Sequence, residues 1–220
     1  MPTLDRDGDV RILDLGSDEN RFSPDWLAAV GALLDEVAAT EGPAALVTRA
    51  TGKFWSNGLD LDWLGAHGDQ LASYVDTIHR VFARVLTLPV PTVAAVQGHC
   101  FAGGAMLALA HDWRYMRADR GFFCLPEVDI HIPFTPGMSA LIQGKLTPAT
   151  ATDVMTTGRR YGGADAAGAG IVTEAVDEDK VVARAVEHAA ALTGKAGPTL
   201  GTIKERMYAA QVSALRAGLG

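Results

Sequence analysis

The chain has 220 residues, of which 48% are hydrophobic, and its 26 acidic and 19 basic side chains give a formal net charge of −7. This length accommodates one large domain or two small ones with a substantial core. Charges of both signs are mixed along the chain, which argues against nucleic acid or an anionic membrane as the main partner. No apolar run is long enough to span a bilayer.

The cysteine content and the N-terminal residues predict the compartment. The two cysteines are Cys100 and Cys124, and no apolar signal segment precedes the first predicted strand. We therefore expect two reduced thiols in a cytoplasmic protein. The heavy use of Ala, Gly, Val and Arg predicts a bacterial source.

Strands and helices alternate from the N-terminus. A strand at Val10–Leu15 is followed by Ser23-Pro24, an N-cap and a first-turn proline for a helix at Trp26–Ala39. Further strands are predicted at Ala44–Thr48, Thr92–Val96, Trp113–Met116 and Phe122–Leu125, and further helices at Asp69–Leu86, Pro136–Gln143, Pro148–Thr156, Asp179–Leu192 and Thr199–Leu215. The unbroken apolar run Thr92–Val96 indicates a strand that is buried on both faces. No linker or repeat interrupts the pattern, so we expect one α/β domain.

Two adjacent glycines, Gly103 and Gly104, stand where a helix follows a buried strand. Glycine lowers helix stability, but a helix N-terminus after a tight turn offers free N–H groups to an anion. A Walker loop would need Lys and then Ser or Thr after its last glycine, and Ala105-Met106 stand there instead. The turn therefore either holds an oxyanion or allows tight packing of the helix against a strand.

A second loop and a buried acid favour the oxyanion hypothesis. The loop Lys53–Leu61 also follows a strand, and its Gly58 precedes a short predicted helix. Two such turns, each presenting one backbone N–H, meet the requirement of a two-donor oxyanion hole. Glu127 lies among apolar neighbours, where desolvation raises the pKa of a carboxyl group toward the range useful for proton transfer.

Motifs in a consistent order carry a resemblance over nearly the whole chain. They are Asn20–Pro24, Lys53–Leu61, Gly98–Gly104, Ala110–Asp112, Asp119–Phe122, Glu127–Ile130, Gly158–Ala166 and Ala169–Val172. In these segments the sequence resembles the crotonase (enoyl-CoA hydratase/isomerase) superfamily, and most of all its plant-type Δ3,Δ2-enoyl-CoA isomerases.

The resemblance implies a fold and an assembly. The expected fold is an α/β, crotonase-like spiral of repeated ββα units with C-terminal helices, forming a single domain over residues 1–220. Within it, residues 1–195 would form the spiral core. Residues 196–220 would help to cover the acyl site, through Thr199–Leu215 of the same chain or of a neighbour, and build a homotrimer or a dimer of trimers.

The resemblance also implies roles for individual residues. Glu127 would be the catalytic acid and base, and the N–H groups of Leu59 and Gly103 would form the oxyanion hole. The residues expected to bind the acyl-CoA substrate are Ser56, Asn57, Gly58, Asp60, Leu61, Phe101, Ala102, Gly104, Met106 and His131. His131 stands where the family usually has a glycine, and we expect it to line the acyl pocket. Coenzyme A enters as the substrate thioester, and neither a cofactor nor a metal is expected.

The number of carboxylates indicates the reaction. Hydratases of this superfamily hold water between two glutamates, and Met106 occupies the position of one of them. One carboxylate suffices to move the double bond of a 3-enoyl-CoA to the 2-trans position, a reaction of fatty acid β-oxidation. Hydration or another acyl-CoA reaction remains the alternative. A second alternative is a catalytically silent acyl-CoA-binding subunit, in which Met106 and His131 would be signs of lost activity.

Several remaining polar residues are assigned structural roles. His99 and His111 are twelve residues apart, which fits no metal site, so both are expected to be structural histidines. Asp60 and Asp62 are expected to be acids at a helix N-terminus. Asp129 is read as structural, because it would share a face with the catalytic acid only on an unbent strand.

Overall fold

The strands of the protein form two sheets, and a computed structural model describes residues 1–218 of the chain. The strands are β1 (Thr3–Asp7), β2 (Val10–Asp14), β3 (Ala45–Arg49), β4 (Phe54–Ser56), β5 (Thr92–Val96), β6 (His99–Phe101), β7 (Trp113–Arg117), β8 (Phe123–Cys124) and β9 (Glu174–Val176). The large sheet has the order β1-β2-β3-β5-β7-β9, and the small sheet has the order β4-β6-β8. The β1–β2 pairing is antiparallel, whereas the other pairings between these strands are parallel.

Helices alternate with the strands along the chain and cover both faces of the large sheet. They are α1 (Pro24–Ala38), α2 (Leu61–Ala66), α3 (Leu71–Thr87), α4 (Gly103–Ala110), α5 (Pro136–Lys145), α6 (Pro148–Thr157), α7 (Gly163–Gly168), α8 (Val181–Ala190), α9 (Pro198–Met207) and α10 (Ala209–Arg216). Among the described helices, none combines the length and the apolar character that a membrane crossing requires.

The connectivity repeats one unit along the chain. A strand of the large sheet leads into a strand of the small sheet and then into a helix, as in β3-β4-α2, β5-β6-α4 and β7-β8-α5. The predicted α/β spiral of ββα units is therefore confirmed. Strands β4, β6 and β8 lie side by side and run parallel in the small sheet, so they end at the same edge. The loops that follow them therefore come together at one place.

Strand β5 shows why the predicted apolar run is continuous. Its side chains alternate between two apolar clusters, with Ala94 and Val96 in the larger core and Val93 and Ala95 on the other face. Helix α8 covers that second face with Val181, Ala185 and Ala189. Both faces are buried, so alternation with polar residues is absent, as the sequence predicts.

The C-terminal region differs from its prediction as a single helix. The segment Thr199–Leu215 is divided at Tyr208, which leaves the helical conformation at φ −109° and ψ 24°. Before the break, Lys204 is buried and its Nζ donates hydrogen bonds to the Val90 carbonyl and the Asp112 carboxylate. After the break, α10 packs against α3 and α5. Because α9 and α10 pack against different parts of the molecule, the chain has to turn between them.

The remaining differences concern element ends and short elements. Strands β1, β4, β6 and β9 and helix α7 lie outside the predicted elements, and each has six residues or fewer. Periodicity needs a longer window than that to be recognised. Helix α3 begins at Leu71 rather than Asp69, because residues 68–70 form a 3₁₀ turn.

Candidate active site

A cavity of about 500 Å³ opens where the loops after β4, β6 and β8 converge. Its lining is mostly apolar and comes from Arg21, Asn57, Leu59, Leu61, Asp62, Leu64, Leu71, Val75, Phe101, Ala102, Met106, Pro126, Glu127, Ile130, Ile132, Pro133, Thr135 and Met138. A concave, largely apolar site with few polar groups is the usual form of a small-molecule binding site.

The two glycine-containing turns touch each other beside this cavity. A Cβ on Gly58 would lie 2.6 Å from the Gly103 nitrogen, and Gly58 has a φ of +77°. A Cβ on Gly103 would lie 2.8 Å from Cδ1 of Leu59 and 2.9 Å from Cε2 of Phe22. A Cβ on Gly104 would lie 2.4 Å from the Ser56 carbonyl oxygen. Close packing of α4 against the β4 loop therefore requires these glycines, while the same approach brings two backbone N–H groups to one place.

Both N–H groups assigned to the oxyanion hole are free. Within residues 1–218, neither the Leu59 N–H nor the Gly103 N–H donates a hydrogen bond. Gly103 is the first residue of α4, so its N–H has no carbonyl partner inside the helix. Leu59 and Ala102 line the cavity, which brings the two turns that carry these donors to its wall.

Ser56, Gly58 and Asp60 support the loop and do not line the cavity. The Ser56 hydroxyl is fully buried, donates to the Asn20 carbonyl at 2.8 Å and accepts the Gly58 N–H at 3.1 Å. The Asp60 carboxylate accepts the Trp63 N–H at 3.1 Å and caps α2, as expected for a helix N-terminal acid. The polar groups of these three residues are engaged within the fold, and Gly104 is buried. Their roles as substrate contacts stay predictions.

Glu127 is a buried acid on the cavity wall. It lies in a turn three residues after the end of β8, and 7% of its surface is exposed. Its Oε2 has no hydrogen-bond partner within residues 1–218. Burial raises the pKa of this carboxyl group to about 7. Such a group can both accept and return a proton near neutral pH.

No other residue that we consider on the cavity wall is a buried acid like Glu127. Met106 lies on α4, is buried and lines the cavity with a thioether that cannot carry a proton. Asp62 also lines the cavity, but its side chain is 88% exposed and is paired with Arg21 at 2.6 Å. Of the acidic residues that line this cavity in the described part of the chain, Glu127 is the buried one.

Asp129 and His131 lie in a turn and do not line the cavity itself. The Ile130 and Ile132 N–H groups bond to the Pro126 and Glu127 carbonyls, so the chain bends after Glu127. His131 has a φ of +58° and is exposed. It lines a shallow depression that adjoins the cavity and shares Glu127, Ile132 and Pro133 with it, so its place in the acyl pocket stays a prediction. The Asp129 carboxylate lies beside Gly158, where a Cβ would be 2.3 Å from Oδ2.

The remaining predictions for this region have mixed outcomes. His111 is buried, with Nδ1 bonded to the Leu107 carbonyl and Nε2 to the Thr48 hydroxyl, which confirms a structural role. Within residues 1–218, no cluster of three His, Cys, Asp or Glu side chains could hold a metal ion. No residue of Thr199–Leu215 in the same chain lines the cavity, contrary to one form of the lid prediction. Residues 219 and 220 of the C-terminal segment lie outside the described residues.

Some residues that line the cavity are absent from the predicted site. Arg21, Val75, Thr135 and Met138 reach the cavity from four separate segments. Val75 stands on the apolar face that predicts helix α3, but that pattern does not distinguish a core position from a cavity wall.

A parallel ββα spiral with two touching glycine turns and one buried glutamate defines an enzyme of the crotonase fold. A family model described as enoyl-CoA hydratase/isomerase matches residues 16–219. The chain belongs to this family.

Similar proteins come from plants and bacteria. The chain is 37% identical to the peroxisomal enoyl-CoA delta isomerase 2 of Arabidopsis thaliana, over 94% of this chain and 92% of the relative. It is 31% identical to a putative enoyl-CoA hydratase of Thermus thermophilus, over 92% of this chain and 81% of the relative. A probable enoyl-CoA hydratase from Mycobacterium tuberculosis, 24% identical, superposes with a TM-score of 0.90 over 99% of this chain and 92% of its own. The relatives that share 37% identity are plant proteins, so the bacterial source expected from composition is not supported. The cytoplasmic location stays a prediction.

Proposed function

We propose that the protein is a Δ3,Δ2-enoyl-CoA isomerase, which converts a 3-enoyl-CoA into the 2-trans-enoyl-CoA. One observation carries the proposal: Glu127 is the buried acid of the cavity, and Met106 stands where a second carboxylate would be needed to orient water. The similarity to the Arabidopsis isomerases supports the same reaction.

The mechanism uses one carboxylate for two proton transfers. The thioester oxygen accepts hydrogen bonds from the N–H groups of Leu59 and Gly103. The Glu127 carboxylate removes a proton from C2, and the electron pair of that C–H bond delocalises into a dienolate whose charge rests on the thioester oxygen. The same carboxyl group then returns the proton to C4, which leaves the double bond between C2 and C3. Losing one oxyanion donor typically costs roughly 3–4 kcal/mol of barrier.

The surroundings of Glu127 suit this chemistry. Its pKa of about 7 lets the carboxylate act as base and its conjugate acid act as proton donor at neutral pH. Apolar side chains such as Ile130 and Met138 line the cavity and match an alkenyl chain. Arg21 also lines the cavity, and its guanidinium is paired with Glu19 at 2.5 Å and Asp62 at 2.6 Å, so the phosphates of coenzyme A would have to compete with these carboxylates for it.

The decisive measurement is kcat of Glu127→Gln on a short 3-enoyl-CoA, followed by the absorbance of the conjugated 2-enoyl thioester. Glutamine keeps the shape but cannot carry the proton, so kcat should fall by about 10²–10⁴-fold. Glu205→Gln, which removes an exposed carboxylate on α9, is the matched control and should leave kcat unchanged. A kcat of Glu127→Gln within a few-fold of normal would mean that another residue moves the proton.

The same assay separates the alternative reactions. Isomerisation creates the absorbance of the conjugated thioester, whereas hydration consumes it. Binding of acyl-CoA without turnover of any 3-enoyl-CoA would instead indicate a silent binding subunit.

We further propose that the protein assembles as a homotrimer or a dimer of trimers. Helix α9 exposes Ile203 and Met207 at 53% and 58% of their surface, and an apolar helix face of this kind suits a subunit contact. Light scattering of the wild type and of an Ile203→Lys, Met207→Lys double variant would test this. A wild-type monomer at micromolar concentration would refute the proposal.

A further inference from the structure

The peptide groups on both sides of Leu59 are held by hydrogen bonds that converge on Phe22. The Gly58 carbonyl accepts the Phe22 N–H at 2.8 Å. On the other side, the Asp60 N–H donates to the Tyr74 hydroxyl at 2.8 Å, and this hydroxyl donates to the Phe22 carbonyl at 2.9 Å. We call these three hydrogen bonds, which join Phe22, Tyr74 and the Gly58–Asp60 backbone, the frame. The Leu59 N–H belongs to the Gly58–Leu59 peptide group, so its direction depends on the frame.

The Tyr74 hydroxyl has both of its roles fixed by its surroundings. Tyr74 projects from α3, is buried, and has the indole ring of Trp63 against its own ring at 5.1 Å between centroids. Burial raises the pKa of this phenol to about 12, so the hydroxyl keeps its proton and remains a donor as well as an acceptor.

Phe22 is an equally rigid end of this frame. Its ring is fully buried and stacks on Trp26 at 4.9 Å between centroids. The ring of Phe82 approaches its edge at 6.2 Å. The frame therefore connects the Leu59 loop to α1 and α3 through packed aromatic side chains.

We infer that Tyr74 is a positioning residue that aims the Leu59 N–H at the thioester oxygen. This inference rests on the proposed function, in which Leu59 is an oxyanion donor. Without the hydroxyl, the Asp60 N–H loses its acceptor, while the Leu59 carbonyl still accepts the Leu61 N–H at 3.1 Å. The Leu59–Asp60 peptide group is then less restrained, and its rotation changes ψ at Leu59 and shifts the adjoining Gly58–Leu59 peptide group, which carries the donor. A donor is effective only near the position of the developing oxyanion, so small rotations weaken stabilisation of the transition state more than binding of the substrate.

The test compares Tyr74→Phe with Tyr115→Phe. Each variant removes one buried phenol hydroxyl, and the Tyr115 hydroxyl bonds to Nδ1 of His188 at 2.7 Å in the second apolar cluster, outside the cavity. We expect Tyr74→Phe to lower kcat by about 10–100-fold with KM changed less than threefold. Tyr115→Phe should change neither constant by more than twofold.

A spectroscopic readout separates positioning from a general loss of stability. The absorption of bound 4-(dimethylamino)cinnamoyl-CoA moves to longer wavelength as its thioester carbonyl is polarised. Read per bound probe, this shift is independent of the folded fraction, and we expect it to shrink in Tyr74→Phe and to stay unchanged in Tyr115→Phe. An unchanged shift and kcat in Tyr74→Phe would overturn the inference, and so would equal losses in both variants.

Failure of the proposed function would look different. If the wild type shifts the probe spectrum but converts no 3-enoyl-CoA, the proposed reaction is wrong. The probe comparison between the two variants still decides whether Tyr74 positions the donor.

Discussion

Removing the carboxyl group of Glu127 should change how the free energy of unfolding depends on pH. In the folded protein this group is buried, its Oε2 has no hydrogen-bond partner within residues 1–218, and its pKa is raised from 4.5 to about 7. In the unfolded chain it regains its ordinary pKa. Between these two values the folded state holds a proton that the unfolded state has released, so wild-type stability falls as pH rises.

The size of this effect follows from the pKa difference. A raised pKa means that the contribution of Glu127 is most favourable below pH 4.5 and is lost as the pH rises through about 7. One pKa unit corresponds to 1.36 kcal/mol, so the full loss is about 3 kcal/mol. Glutamine does not titrate. The stability of Glu127→Gln relative to wild type should therefore increase by about 3 kcal/mol from pH 4.5 to pH 8.

Urea unfolding at a series of pH values and one protein concentration measures this difference. A fixed concentration is required because subunit association would add its own term to the stability. The control variant Glu205→Gln should follow the wild-type pH dependence. Parallel curves for Glu127→Gln and wild type would show that the Glu127 pKa is not raised by folding, and the proposed acid–base role would lose its physical basis.

Three further predictions follow from the site and the core. The kcat/KM of the wild type on a 3-enoyl-CoA should rise with pH to a plateau with an apparent pKa near 7, because Glu127 must be ionised to remove a proton; a flat profile from pH 5.5 to 8.5 would contradict this. Gly103→Ala should lower kcat by about 10²-fold, since its Cβ would lie 2.8 Å from Cδ1 of Leu59 and push the two N–H donors apart. Kinetics at saturating substrate measure this effect, and a normal kcat would contradict the prediction. Lys204→Met should destabilise the protein by about 3–5 kcal/mol, because it leaves the Asp112 carboxylate buried without its cation. Chemical denaturation at pH 7 measures this change. A loss below about 1 kcal/mol would show that the Lys204–Asp112 pair does not stabilise the fold.

The glycine turns and the buried acid were predictable because each leaves a local signature. Gly58 and Gly103 follow apolar strands and precede helices, and Glu127 is a lone acid in an apolar segment. The sequence left open whether the turn serves an oxyanion or tight packing, and the structure shows that close packing against Leu59 and Phe22 requires glycine at position 103.

Other parts of the site depend on tertiary contacts that no local pattern records. Tyr74 stands on the buried face of α3, and nothing in its neighbours indicates that its hydroxyl meets backbone groups of residues 14 and 52 positions earlier in the chain. The same limit explains the division of Thr199–Leu215, which is caused by docking of Lys204 onto Asp112.

The strand order of the large sheet has a consequence for synthesis of the chain. After the β1–β2 hairpin, each strand of β3, β5, β7 and β9 pairs with the strand added before it, so the order in space equals the order in sequence. A chain emerging from the ribosome can therefore extend the sheet one edge strand at a time, without waiting for a distant segment to insert between strands already paired. Helix α10, which packs on α3 and α5, is then the last helix to dock, and until it does the apolar faces it covers remain open to unwanted association.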